Sequence, residues 1–412
     1  MTSREFDIVL FGATGFVGAL TAAHLAEHAP ATVRIALAGR SESKLRQVLA
    51  DLPGAPDWPV VIADSSDPAS LRAMAERTRV VITTVGPYAK YGLPLVEACA
   101  TTGTDYVDLT GEVLFHREAV DRFDAAAEAS GARIVPSCGF DSVPSDLAVL
   151  FLADAASHAG DGELTETTLY ATIKGGASGG TVASAIGQAD EMRGSKDKRR
   201  IVLDKFALSP DRGAEPSGEY RDGATAAYSD EIRSWTAPFV MASYNTRVVR
   251  RSNALLGHRY GRGFRYRELM RTGDGLKGRA TAYAVLGGLG AMMGAIAVPF
   301  LRPVVDRVAP SPGEGPSAQA RAKGYFRMDA RSTTTSGARY QSVVAAQGDP
   351  GYAATAVMLG EAGLALALQR DELPLPAGRR GGLFTPATAL GRPYADRLVA
   401  QGFTIEAGKT SA

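Results

Sequence analysis

Cysteine, histidine and tryptophan are scarce in this chain, and neither sign of charge dominates. Cys99 and Cys138 are the only cysteines in 412 residues. Two thiols cannot build a disulfide-dense secreted scaffold or a four-thiolate zinc site. The 5 histidines are scattered, except for His24 and His28 on one predicted helix face. No third ligand accompanies that pair in sequence, so a surface pair without metal is expected. Lys and Arg total 45 against 44 Asp and Glu, a formal net charge of +1. A dedicated nucleic-acid binder is usually far more basic, so no nucleic-acid partner is expected. Residues 1–7 are polar, and the apolar run after them stops at a glycine-rich turn, unlike a secretory signal. A reducing cytoplasm is the expected compartment. What is abundant is ordinary. Hydrophobic residues at 45% and charged residues at 22% describe a soluble chain, long enough for two or three domains.

In the first third, short β-branched runs alternate with Ala- and Leu-rich stretches. Strands are predicted at 6–11, 33–38, 60–63, 80–84, 106–109 and 133–136. Helices fall between them, among them 19–27, 94–101 and 115–130, and Ser41 is placed to cap another. This alternation implies a Rossmann-type α/β fold, a doubly wound parallel sheet.

Gly12-Ala13-Thr14-Gly15-Phe16-Val17-Gly18 lies directly between the first strand and the first helix. The first glycine permits a sharp turn. The second removes a side chain that would block a phosphate, and the third lets the helix pack close. The helix start then offers free N–H groups and a positive dipole end to a pyrophosphate. The end of the second strand selects the dinucleotide. An NAD site usually carries a carboxylate there, but this chain has Gly39-Arg40-Ser41. Arg40 and Ser41 suit a 2′-phosphate, so NADP(H) is favoured; otherwise Arg40 is a solvated residue at a helix start. Asp64, after the third strand, is placed to touch the adenine or to cap the next helix.

Ligands in such sheets sit beyond the carboxyl ends of the strands. Two segments lie there: Val85-Gly86-Pro87-Tyr88, and Cys138-Gly139-Phe140-Asp141-Ser142 with Val143–Asp146 following. Tyr88 is either a side chain in the crevice or an amphipathic aromatic at a domain edge. Asp141 and Ser142 are either site residues or helix caps. Cys138, Gly139 and Phe140 are expected beside the cofactor, as are Val85, Gly86 and Pro87.

The glycine turn, Val85–Tyr88, the 103–112 run GTDYVDLTGE and the 138–146 loop CGFDSVPSD resemble the saccharopine-dehydrogenase-like oxidoreductases. More narrowly, they are similar to the trans-acting enoyl reductases of mycobacteria. The runs 245–247, 250–255, 333–340 and 385–389 fit the same group, so the resemblance spans the chain. It implies NADPH-dependent reduction of double bonds on acyl chains made by a separate polyketide synthase. Amino-acid-handling saccharopine reductases carry an Asp-Pro-Gly stretch where this chain has Asp141-Ser142-Val143-Pro144, which counts against that chemistry.

A short-chain dehydrogenase would need Tyr-x-x-x-Lys on a helix. Tyr170 and Lys174 match in letters, but their β-branched surroundings predict a strand. From about 147 the strand–helix rhythm stops. Strands are expected at 164–173 and 327–340, a helix at 178–193, and a loop at 209–230. The domains expected are 1–146 for NADP, a mixed-sheet α+β substrate and dimerisation domain at 147–349, and 350–412 returning to the first domain as a helix and a loose tail.

Two features bear on partners. Arg247, Arg250, Arg251, Arg259, Arg262, Arg265, Arg267 and Arg271 cluster around a single acidic residue, Glu268. They suit an acyl-carrier protein, an anionic lipid surface or a coenzyme A phosphate, or they are solvated or paired internally. Residues 280–301 carry no charge. Val285, Leu289, Met292, Met293, Ile296 and Phe300 form a stripe on that segment. Three readings stay open: a buried or dimer helix, an acyl-chain or membrane-surface contact on the inner face of the plasma membrane, and a true span. Arg302 and Arg307 follow it.

The expected reaction is reduction of an enoyl acyl intermediate, with Tyr88 as first choice to meet the carbonyl oxygen and Asp141 and Ser142 as weaker candidates to orient it or relay the proton. The alternatives are a saccharopine-reductase-like enzyme, and a non-catalytic lipid or carrier-protein binder that keeps NADPH.

Overall fold

A computed structural model describes residues 4–54, 56–175, 179–216, 225–298 and 315–410. Six strands come from the first third: β1 (Phe6–Phe11), β2 (Ile35–Gly39), β3 (Val60–Ile62), β4 (Thr78–Thr83), β5 (Asp105–Val107) and β6 (Arg133–Val135). They pair in parallel in the order β6-β5-β4-β1-β2-β3. The order reverses between β1 and β4, which is where an open sheet of this kind forms its crevice. Apolar residues face both sides because helices cover both: Ile8, Leu10 and Ile82 point to one layer, Val9, Phe11 and Val81 to the other.

The second sheet is mixed. Its strands are β7 (Leu164–Lys174), β8 (Ala227–Ser229), β9 (Ser234–Pro238), β10 (Arg265–Gly273), β11 (Tyr325–Thr334) and β12 (Arg339–Gln347). β7 and β10 run parallel, and the other pairs are antiparallel. Tyr170 and Lys174 sit on β7, so they make no helical dyad. Arg339–Gln347 forms its own strand, returning by a hairpin through Gly337.

The carboxyl-terminal part serves both sheets. The helix Thr355–Leu368 packs against the helix Phe16–His28, and Gly363 lies close on Ile82 of β4. β13 (Gly382–Leu383) adds a seventh parallel strand beside β6. β14 (Thr404–Lys409), however, pairs antiparallel with β12 in the second sheet. The tail is therefore not a loose end of the first domain. Its six paired residues are held by backbone bonds although most of its side chains are exposed. Nor are the two helix histidines a surface pair. His24 is buried, and its Nε2 lies 2.8 Å from Glu361 Oε1 on the Thr355–Leu368 helix. That carboxylate also accepts from Arg397 Nε at 2.7 Å. Pro350–Leu368 is the one segment among the described residues long and apolar enough to cross a membrane, and 78% of it is buried inside the fold. It is a core helix.

Candidate functional site

The glycine turn closes over the β1–β4 switch point. Gly12 has φ +92°, and a Cβ there would lie 2.8 Å from both Thr84 Oγ1 and Val85 Cγ2. Thr84 Oγ1 donates to the Gly12 carbonyl at 3.0 Å and so ties the two loops together. Ala13 is buried, while Thr14 and Gly15 are exposed at the helix start. A Cβ on Gly18 would overlap the Gly12 carbonyl oxygen. Close turn, bare second glycine and tight helix contact are therefore all present, and the residues fit a dinucleotide pyrophosphate. Phe16 opens the helix. Its ring packs edge-on to Tyr352 at 5.0 Å, and the Arg321 guanidinium lies over it at 5.2 Å. Val17 continues the first turn, and its carbonyl accepts from Thr21 Oγ1 at 2.9 Å.

Gly39 ends β2, and Arg40 is exposed directly beyond it. Ser41 caps the next helix by accepting from Lys44 N. Asp64 organises its own turn, accepting from the Ser66 N–H and hydroxyl at 2.9 and 2.7 Å. Those bonds hold its carboxyl below the usual range, and the nearby Arg40 charge adds to them. A cationic side chain at the β2 end, where an NAD site carries a carboxylate, fits a 2′-phosphate. Arg40→Ala is expected to weaken NADPH about tenfold to a hundredfold and to leave NADH unchanged. Fluorescence titration of both cofactors measures this. Equal loss of both would place Arg40 away from the 2′-phosphate.

Beyond the strand ends lies a cavity of about 440 Å³ between the two sheets. Gly86, Pro87, Gly139 and Phe140 form its floor on the first-domain side. Phe140 is fixed by its N–H to Thr355 Oγ1 at 3.0 Å and by Phe326 at 5.1 Å. Across from them the wall carries Met192, Met241, Met270, Met292 and Met293, five of the chain's nine methionines. Asp141 also lines it. Its Oδ2 sits over Gly111, and its Oδ1 is sealed from solvent with no hydrogen-bond partner among the described residues. Burial, with the charge of Glu268 as a second cause, pushes this carboxyl up to about 7.

Three expected site residues are placed otherwise. The Tyr88 hydroxyl donates to the Thr83 carbonyl at 3.1 Å and receives the Leu109 N–H at 3.4 Å. Tyr88 lines the cavity with its hydroxyl engaged by these two backbone groups. Ser142 is fully buried and donates to Asn245 Oδ1 at 2.8 Å, in a network that continues to Ser145 and Glu268. These bonds anchor the loop. Cys138 points into the core with its thiol on the Val135 carbonyl, and burial raises its pKa well above the ordinary value.

Other residues enter that single-sequence spacing did not single out. Glu112 receives the N–H groups of Tyr88 and Ala89 at 2.9 and 2.7 Å and the Ser184 hydroxyl at 2.6 Å, so it pins the floor to the wall. Tyr244 lines the cavity while its hydroxyl meets Ser137 Oγ at 2.5 Å and His116 Nδ1 at 3.0 Å. Burial holds His116 neutral, well below its usual pKa. The helix Ala242–Leu255 that carries Tyr244 also explains the arginine cluster. Arg247, Arg250 and Arg251 are buried and donate to backbone carbonyls, including Asp204, Lys205, Leu208 and Leu383. Arg259 pairs with Asp154, and Arg265 with Glu166. Five of the eight cluster arginines are thus buried donors to carbonyls or paired with carboxylates.

A glycine turn at the switch point, a cationic β2 end and a cavity at the strand ends define an NADP-dependent oxidoreductase with a second, mixed-sheet domain. The saccharopine dehydrogenase NADP binding domain matches residues 8–135. A trans-acting enoyl reductase of Mycobacterium tuberculosis is 46% identical, covering 98% of this chain and 97% of its own. That of Mycobacterium ulcerans is 46% identical over 98% of each. Another M. tuberculosis protein, to which the same activity is assigned provisionally, is 50% identical over 98% of each. Yeast saccharopine dehydrogenase shares the fold at 12% identity, with a TM-score of 0.57 over 98% of this chain and 99% of its own. The chain belongs to the saccharopine-dehydrogenase-like oxidoreductases, in the group of the mycobacterial trans-acting enoyl reductases. It binds NADP(H).

Proposed function

We propose that the protein reduces the carbon–carbon double bond of an α,β-unsaturated acyl thioester presented by a separate synthase or its carrier protein. One observation carries this reading: a methionine-lined wall meets, at the strand ends, a carboxyl with one buried oxygen that has no hydrogen-bond partner among the described residues. Methionine is flexible and polarisable, and it suits an acyl chain better than a zwitterionic amino acid. The relatives named trans-acting enoyl reductase support the same reading. Bound NADPH supplies the hydride. Reduction at the β-carbon builds charge on the thioester oxygen and calls for a proton at the α-carbon. Asp141, with a pKa of about 7, is protonated in a large fraction of molecules at neutral pH and gives that proton. Glu112 and the Tyr244–Ser137–His116 chain hold the walls on either side of it.

The test is NADPH oxidation with trans-2-enoyl thioesters of increasing chain length. The expected kcat/KM rises about fourfold per added methylene until the cavity is filled. Oxidation with saccharopine precursors instead would move the protein to amino-acid chemistry. Binding of NADPH with no oxidation by any substrate would leave a non-catalytic binder.

A further inference from the structure

The helix Gly275–Ala297 has two unlike faces. One packs on β9 and β10 and reaches the cavity through Met292 and Ile296. The other is turned to solvent, yet from Ala280 onward it carries no charge. Leu276 is 83% exposed, Tyr283 51% and Met293 56%. A solvent-facing helix surface without a single charge is unusual, since such faces are normally polar. Lys277 and Arg279 stand in the first turns, and no acidic residue lies between 275 and 297; Phe300, Arg302 and Arg307 lie outside the described residues. Asp274, just before, caps the helix through the Gly275 N–H and is the one carboxylate at this end. Beside Arg279 lies an aromatic cluster. The Arg279 guanidinium sits over Trp235 at 5.5 Å, and Trp235 contacts Tyr228 and Tyr283 at 5.9 and 6.3 Å.

Amphipathic aromatics and cations at the edge of an uncharged helical face form the pattern of a segment lying in a lipid headgroup layer. We propose that this face docks on an anionic phospholipid bilayer. The occupant follows from charge, because Lys277 and Arg279 beside an otherwise uncharged face complement an acidic leaflet. It follows also from position, because Met293 is both exposed on this face and part of the cavity wall. An acyl chain then passes from the bilayer side of the helix to the reducing site without crossing water. That last point rests on the acyl reading above, whereas the docking itself does not.

The experiment is sedimentation of the full chain with vesicles of phosphatidylcholine alone and of phosphatidylcholine with phosphatidylglycerol. A parallel assay follows NADPH oxidation with a short, water-soluble enoyl thioester. Binding to the anionic vesicles, weakened by salt, is expected. Leu276→Asp with Ala284→Asp places two carboxylates on the exposed face, away from the cavity. It is expected to lower vesicle partitioning roughly tenfold or more while oxidation of the soluble thioester stays unchanged. Wild-type protein that stays in the supernatant with both vesicle types overturns the proposal. So does a wild-type dimer, indifferent to vesicles, that the double variant converts to monomer, since a second copy then covers the face. Loss of thioester oxidation in the wild type would instead count against the enoyl reading and leave the vesicle result standing.

Discussion

Asp141→Asn is expected to yield a protein slower by about a hundredfold or more and yet more stable in mild alkali. Both effects come from one carboxyl. An aspartate in the unfolded chain titrates near its ordinary value of 3.8, whereas in the folded cavity burial, aided by Glu268, raises it to about 7. Between those values the unfolded chain has lost the proton and the folded chain keeps it. Stability contributed by this group is therefore complete below about pH 4, declines as pH rises towards 7, and is lost above that. Asparagine stays neutral throughout. The variant should match wild type at pH 4 and melt at a higher temperature at pH 8, by an amount equivalent to about 4 kcal/mol. Asp108 and Asp146, each raised to about 6 by burial, bring a slope of the same sign that both proteins share. The rate behaves in parallel. Wild-type kcat/KM should fall as pH climbs through about 7, and the residual activity of the variant should lack that limb. Thermal melting at the two pH values and a pH–rate profile measure these together. A variant with normal turnover would remove Asp141 as the proton donor.

Gly18→Ala is expected to cut NADPH affinity by at least about a hundredfold and to destabilise the fold by about 1–3 kcal/mol. The new methyl would overlap the Gly12 carbonyl oxygen and stand 2.9 Å from Ala13 Cα. Neither is the end of a flexible side chain. The backbone must move, and it is the backbone whose N–H groups face the pyrophosphate. Gly54→Ala supplies the comparison, because nothing lies within 4 Å of a Cβ there. That substitution meets only the backbone strain of φ +71° and should leave the cofactor titration untouched. Equal cofactor loss in both variants would mean that general destabilisation, not the turn, governs binding.

What could be read from the chain was whatever depends on neighbours in sequence. Strand, glycine turn and helix follow one another between Phe6 and His28, and the absence of a carboxylate after β2 is a local fact. The site residues were harder because their roles depend on distant partners. Tyr88 and Asp141 both sit at strand ends, and only the fold shows that the Thr83 carbonyl takes one hydroxyl while the other side chain keeps a bare oxygen. Arg247, Arg250 and Arg251 look solvated by composition, yet the carbonyls that receive them lie on segments as far away as Leu383. Glu112 and Tyr244 carried no spacing signal at all. The methionines were legible only in part, since Met292 and Met293 lay in a flagged stripe but Met192 and Met270 come from other elements. β14 escaped notice for a different reason: with most of its side chains exposed, it has no apolar alternation to betray a strand.

The route of residues 382–409 has a consequence for how the chain is born. β13 closes the β6 edge of one sheet, and β14 closes the β12 edge of the other. During synthesis neither edge is covered until these residues have left the ribosome, although most of both sheets already exists. Exposed strand edges invite pairing with other chains. The nascent protein thus carries the β6 border from Val135 onward and the β12 border from Gln347 onward, and both are masked within the same short stretch of emergence. Splitting the chain at the 146/147 border would leave the upstream fragment without its seventh strand and its covering helix, so that fragment should depend on chaperones or aggregate.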